Sequence, residues 1–402
     1  MMHEYEAYHV HSYYSNCLTW LDSTMRIEDY AKVMHERGQK VLCISEHGNR
    51  SNVWKQFEVA NSFEENKMVP LAAAEIYFVP DRNPELKDGR NFHMILIAKD
   101  MEGFYQLNFA LSQANETGFY RRARVDFELL RQLDYRHFIC TTACVAGVVK
   151  DLEGEKLVRQ LRDIFHENLY LEVQHHPQEI QLQHNKKCLE LSQQLHIPLI
   201  YATDSHYIRH EDAILRKELM KSGGITYEYE DEFDLFLPDQ EEAFLLMKQQ
   251  GILPVARIEE AMENTLQLRE FAGVSFDTER KFPISRPNLK PEERERLYKH
   301  MVCDGYIAHA GMPTKEEAEE IHKEMDIVTR TKSYDYFIGL YDMLELGVKK
   351  GGVLTTTGRG SACSFVSNFA LNFSTINRLH APIKMYAARF LSEAKAKVSM
   401  PD

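Results

Sequence analysis

The chain has 402 residues, 44% hydrophobic and 27% charged, with a formal net charge of −13 at pH 7; this globular composition excludes a disordered chain, and about 150 residues per domain implies two or three domains. No apolar run approaches the roughly 18 residues of a membrane span, and the Met-Met-His-Glu-Tyr-Glu start lacks the basic segment and apolar core of a signal peptide, so a cytoplasmic protein with no membrane partner is expected. Seven widely spaced cysteines without a Cys-x-x-Cys pair point to reduced thiols, and the acidity means that any nucleic-acid affinity must come from a local basic patch.

In chain order, short β-type runs at 8–11, 41–45, 69–74, 93–98, 138–141, 169–173 and 198–202 alternate with helical patterns at 27–37, 101–114, 153–166 and 178–195. Such alternation predicts parallel strands with crossover helices, and about seven units predict a barrel. From about 208 to 280 the texture becomes helical and rich in acidic residues and Leu, as at 240–250 and 258–271. A connector with Pro283, Pro287 and Pro291 follows and reads as a boundary. Helical stretches at 291–310 and 315–331, an apolar run at 336–346, a β-type run at 353–357, a glycine turn and a last helix at 363–371 complete the chain. The expected divisions are 1–207, 208–284 and 285–402.

The chemistry lies where the early runs end. His9 and His11 fall on one side of a strand because side chains alternate with period two. Glu46 and His47 precede Gly48, which allows a tight turn right after the strand. Glu75 stands in an apolar context, where a carboxylate needs a partner or a cation. His93, Cys144, Asp204 and His206 complete nine candidate metal ligands. Strand ends aim side chains at one rim, so these residues can converge on about two or three divalent ions, at about three or four ligands each. A multinuclear site of this kind suits phosphoester hydrolysis.

The motifs His9-Val10-His11, Glu46-His47-Gly48, Glu75, His93, Cys144 and Asp204-Ser205-His206 resemble, in order, those of the polymerase and histidinol phosphatase (PHP) domain family. The resemblance implies a (β/α)7 barrel with metal ions at one rim, here Zn or Mn. One position departs from the family's pattern: Glu46 stands where Asp is usual, and its extra methylene moves the carboxylate by about 1.5 Å, which implies altered ligation or a weakened ion. The runs 71–77, 93–100, 118–120 and 203–207 further resemble the C-family replicative DNA polymerases of bacteria. That implies a PHP-type α/β barrel, then a mostly helical thumb (208–284) and the start of a nucleotidyltransferase-like α+β palm (285–402).

Gly358, Arg359, Gly360 and Ser361 form a strand–turn–helix phosphate cradle, in the place where the C-family palm holds the nucleotide's phosphates. One glycine of the family's turn is missing after Ala362. The final Met-Pro-Asp resembles the approach to the polymerase's catalytic aspartates, which makes Asp402 one carboxylate of an incomplete Mg-dependent site. Tyr120, Arg121, Arg122 and Arg124 are the clearest basic and aromatic cluster for a DNA backbone. The expectation is a metal-dependent 3′–5′ exonuclease joined to a palm that does not polymerise in this chain alone. DNA primer-template, the remainder of the polymerase or a second polypeptide, and other replisome proteins are the implied partners. A metal-stapled non-catalytic scaffold, or a phosphatase of the histidinol phosphate type, are the alternatives.

Overall fold

A computed structural model describes residues 3–16, 21–225, 233–279, 283–354 and 360–398. The chain divides into two compact units, Met1–Asp277 and Thr278–Asp402. The first unit holds strands β1 (Val41–His47), β2 (Val69–Phe78), β3 (Phe92–Ala98), β4 (Arg124–Val125), β5 (Phe138–Thr141), β6 (Leu169–Gln174) and β7 (Leu199–Ala202). Around them lie helices α1 (Ile27–Glu36), α2 (Val53–Ser62), α3 (Met101–Thr117), α4 (Phe127–Leu130), α5 (Gly154–Phe165), α6 (Glu179–Leu195), α7 (Ala213–Ser222), α8 (Gln240–Gln250) and α9 (Val255–Leu266).

The sheet runs β1-β2-β3-β5-β6-β7, with β4 beside β2. Its two end strands are joined by the first segment of the chain. Val10 bridges Ser205, the His11 N–H donates to the Ser205 carbonyl at 2.8 Å, and the Ser45 N–H donates to the Val10 carbonyl at 2.9 Å. The expected parallel arrangement needs correction at one strand: β3 runs antiparallel to both β2 and β5. The 79–91 connection carries Pro84, Asn83 and Gly89 and only one short 3-10 turn. Without a crossover helix the chain can only turn back.

Period-two alternation sorts the strands into two apolar faces. Val41, Cys43, Leu71, Ala73, Ile95, Ile97 and Ile200 pack together inside the curled sheet. Leu42, Ile44, Ala72, Ala74, Met94 and Leu96 face the helices. Each large apolar side chain buried in this way contributes about 1.5–3 kcal/mol. The helices are cut by polar signals: Asp100 caps α3 through the Gly103 N–H at 2.9 Å, and Asp239 caps α8 through the Glu242 N–H at 2.9 Å. Leu235, Leu237, Phe244 and Met262 belong to the same core as the barrel's helices, so the described part of 208–277 is packed into the first unit.

In the second unit the described regular elements are helical: α10 (Pro291–Ala310), α11 (Lys315–Arg330), α12 (Tyr334–Lys349), α13 (Val366–Ala370) and α14 (Glu393–Val398). Tyr298, Val302, Val328, Phe337, Phe365 and Phe390 form its core. Gly305 lets α10 approach α13 closely, since a Cβ there would lie 2.1 Å from the Ala370 carbonyl oxygen. The apolar run at 336–346 lies within α12. The β-type run at 353–357 falls largely outside the described residues, as do Gly358, Arg359 and Asp402.

Candidate metal centre

The inward face that carries Val41 and Cys43 continues along β1 to His47, and the face of Leu71 and Ala73 continues along β2 to Glu75. His47 and Glu75 are register partners, and their side chains meet at 2.7 Å between Nδ1 and a carboxylate oxygen. His93, from the same face of β3, reaches the other Glu75 oxygen at 2.7 Å. The first segment adds His9, 3.6 Å from Glu75 and 3.1 Å from Asp204. It also adds His11, 3.4 Å from each. His206 and His47 both pack against the His11 ring, at 4.5 and 4.2 Å. Asp204 and Ala143 hold their loops in the left-handed region, with φ of 50° and 53°, a strain of the kind that clusters at functional sites.

Three overlapping sets of ligand-type atoms result: His11, His47 and His206; His9, His11 and Asp204; and His47, Glu75 and His93, each with its atoms within 4.8 Å of one another. The Nε2 atoms of His9 and His11 and both Glu75 oxygens are buried and touch only one another, Asp204 and the neighbouring imidazoles, in contacts that lack hydrogen-bond geometry. Such atoms are costly in a protein interior unless a cation satisfies them, so the residues fit divalent ions. Behind them, a second row fixes the rings. Glu172 accepts from His9 Nδ1 at 2.7 Å and from the Tyr8 and Thr141 hydroxyls at 2.9 and 2.8 Å, leaving Nε2 to face the cluster. His11 Nδ1 meets Ser15 Oγ at 3.2 Å, and His206 Nδ1 meets the Asp204 carbonyl at 2.9 Å. Outer partners of this type orient metal-binding histidines.

Charge follows the geometry. Burial alone would raise the Glu75 carboxyl, yet the His93 and His47 charges hold it well below the usual carboxylate range. Asp204 is held low in the same way against burial by His9, with His11 hydrogen-bonded to it. Burial pushes His9 down, but Asp204 and Glu172 outweigh it and raise the ring well above its ordinary value. His11, buried and facing His47 and His206, drops to about 3. Burial, with Asp204 and Glu75 nearby, raises the Cys144 thiol well above its ordinary value. Its Sγ lies 3.7 Å from His93 Nδ1, on the wall of a cleft of about 220 Å³ that also includes Gln174, Phe233 and Leu235.

Glu46 is not part of the cluster. Strand β1 stays regular through His47, so adjacent side chains point to opposite faces, and Glu46 turns away. Its oxygens accept from the Ser12 and Ser15 hydroxyls, each at 2.5 Å. Burial raises this carboxyl to about 7, against the lowering effect of the two serines. Through Ser15 it steadies His11 rather than serving as a ligand. The carboxylate that does reach the rim is Asp22, which sequence reasoning missed. Its Oδ2 lies 2.7 Å from His47 Nε2 and 2.8 Å from His206 Nε2, and Arg216 clamps its Oδ1 at 2.6 Å and its carbonyl at 2.8 Å.

The basic cluster divides. Arg121 is exposed and lies over the Tyr120 ring at 5.5 Å. Arg122 lies 5.3 Å over Tyr77, whose ring packs edge-on to His93. Arg124 corrects the expectation: it is fully buried and donates to the carbonyls of Gly118, Asp88 and Arg82 at 3.1, 2.8 and 3.3 Å, so it cannot reach a DNA backbone. Arg124→Met leaves these carbonyls without their donors. A loss of about 3 kcal/mol in stability, from about 1–3 kcal/mol per buried unsatisfied group, with DNA affinity unchanged, is the expected result of urea unfolding and a binding titration.

In the second unit Gly360 has a φ of 65° and opens the turn Gly360–Ser364, where the Ser361 carbonyl accepts from the Ser364 hydroxyl at 2.7 Å. The N–H groups that start α13 are occupied by the buried Glu324 carboxylate, at 2.6 Å to Val366 and 3.3 Å to Ser367. The described part of the expected cradle is therefore the turn alone.

Comparison with known proteins finds the PHP domain family over residues 7–176 and the family described as the bacterial DNA polymerase III alpha NTPase domain over residues 290–402. DNA polymerase III subunit alpha of Aquifex aeolicus is 27% identical over 439 residues, covering 100% of this chain and 36% of that protein. The Treponema pallidum protein of the same name is 26% identical, covering 98% and 34%. The Deinococcus radiodurans one is 29% identical, covering 74% and 23%. The chain thus spans about a third or less of the length of these relatives.

Proposed function

We propose that this chain, which belongs to the bacterial C-family polymerases and carries a PHP domain over residues 7–176, is the N-terminal portion of a DNA polymerase III alpha-type subunit whose barrel removes nucleotides from a DNA 3′ end. The observation that supports this most is the convergence of His9, His11, His47, Glu75, His93, Asp204 and His206 from separate segments, with buried nitrogens and carboxylate oxygens that face one another without hydrogen-bond geometry. Divalent ions bound there, about two or three of Zn or Mn, would polarise a phosphoryl oxygen and supply hydroxide near neutral pH. The chain's own groups do the rest. Glu75 joins three sets of imidazoles into one site, Glu172 and the Ser15–Glu46 pair fix ring orientation, and Asp22 ties His47 to His206.

In this reading 208–284 act as a thumb and 285–402 as the start of a palm. Gly358, Arg359, Gly360 and Ser361 face nucleotide phosphates, and Asp402 contributes to a Mg site completed elsewhere. Primer-template DNA, the rest of the polymerase and other replisome proteins are its partners, in the cytoplasm; no helix among the described residues is long and apolar enough to cross a membrane. Incubating the chain with a 5′-labelled primer and Mn²⁺ or Zn²⁺ tests the reading: progressive shortening is expected, and intact primer with every metal defeats it. A scaffold reading has its own support, since Asp22, held by Arg216, ties His47 to His206 and so braces the rim. It predicts bound metal and no shortening. Turnover of a phosphomonoester with indifference to DNA would mark the phosphatase alternative.

A further inference from the structure

A second cleft, of about 340 Å³, shares the wall residue Val145 with the metal cleft. It is built from two elements. Gly147, paired with His93, leads into the turn Val148–Lys150, and a Cβ at Gly147 would lie 2.0 Å from the Thr142 carbonyl oxygen. The turn is thus seated directly beside the metal rim and carries Val149 and Lys150. Facing it, α6 contributes Ile180, Gln183, His184 and Lys187, whose spacing places them on one helix face. His184 forms the floor; its Nε2 is 3.2 Å from the Glu172 carbonyl, and burial lowers its pKa.

Among the described residues neither Lys150 nor Lys187 has an ion-pair partner, although the chain carries a net charge of −13. The cleft's one carboxylate, Asp151, accepts from the Glu153 N–H at 2.9 Å and helps to start α5. Two lysines without an ion-pair partner line the same cleft as part-exposed Val145 and half-exposed Ile180 (43%), which matches a ligand that is anionic at one end and flat and apolar at the other, the chemistry of a nucleotide.

We propose that this cleft is a second nucleotide subsite of the metal centre. Lys150 and Lys187 hold a phosphate of single-stranded DNA next to the bond to be cut, and the base lies against Val145 and Ile180. The inference rests on the nuclease reading and narrows it: the substrate is a polynucleotide strand, since a small phosphomonoester would fill the metal cleft alone. Arg122, over Tyr77, lies toward the strand carrying His93 and supplies a separate positive charge near the same rim.

The test is fluorescence anisotropy of a labelled oligothymidylate with the whole chain in EDTA, which separates binding from cleavage. Each phosphate contact on single-stranded DNA changes log K by about 0.7 per decade of salt, or about tenfold between 1 M and about 0.05 M. The double variant Lys150→Gln, Lys187→Gln is expected to bind about a hundredfold more weakly at about 0.05 M salt, with the salt slope smaller by about 1.4. Equal affinity and equal slope in wild type and variant, or no binding by wild type at that salt, overturns the subsite. Loss of binding in the variant together with no metal-dependent shortening by wild type keeps the strand-binding cleft and rejects the nuclease. Both lysines are exposed, and an unchanged melting temperature confirms that the variant is folded.

Discussion

Glu75→Gln is expected to reduce metal-dependent shortening of a DNA primer by at least about a hundredfold, because even residues one step behind a ligand typically change metal affinity or activity by about 10–100-fold. The substitution keeps the side chain's shape and removes the one charge that faces His9, His11, His47 and His93 together. Metal content per chain, measured on the same sample, should fall with activity while circular dichroism stays unchanged. A variant with wild-type metal content and wild-type rate would show that the convergence around Glu75 is not the active centre.

Arg216→Met should give the largest loss of stability. The guanidinium lies 2.6 Å from Asp22, on a carboxylate that is only 1% exposed, and removing one partner of a buried pair costs about 3–5 kcal/mol. For a unit of this size that is a melting temperature lower by roughly 10 °C. The pH dependence gives an independent check. Burial raises Asp22, but His206 and Arg216 outweigh it and hold the folded carboxyl well below its ordinary value. A depressed folded pKa means the folded chain binds fewer protons than the unfolded one, so this contribution is fully present above the ordinary carboxylate range, declines below it and is lost as the pH falls through the depressed folded value. The difference between wild type and Arg216→Met should therefore be greatest near neutrality and shrink in acid. A pH-independent difference would assign the effect to lost packing.

The sequence made the strands and most of the rim legible because apolar alternation with a polar end is a strong local signal. His9, His11, His47, Glu75, His93, Asp204 and His206 could be placed by that signal alone. Glu46 misled because identity was weighed above period: in an unbroken strand it cannot share a face with His47, and the alternation of Val41, Cys43, Ser45 and His47 already excluded it. Asp22 was missed because the described residues between Ser15 and Ile27 form no regular element and hence offer no period from which to infer direction. Glu172 could have been found by the argument used for Glu75, as a carboxylate inside the apolar run Leu169–Gln174. Arg124 was read by charge, but its burial depends on carbonyls contributed by two other segments, the 79–91 connection and the end of α3, which its own local pattern does not reveal. The reversal of β3 was visible as a missing helix between 78 and 92.

The seam between the first segment and β7 sets the order of assembly. The Thr203 hydroxyl meets the His9 carbonyl across 194 residues of chain, so during synthesis the strip carrying His9 and His11 waits without its neighbour until the last strand has left the ribosome. Pairing of such distant segments is slow because chain entropy must be lost before any contact forms. The two ligand sets that need Asp204 or His206 are thus the final part of the barrel to mature, and a ribosome stalled before residue 204 would display a chain holding only the His47, Glu75 and His93 set.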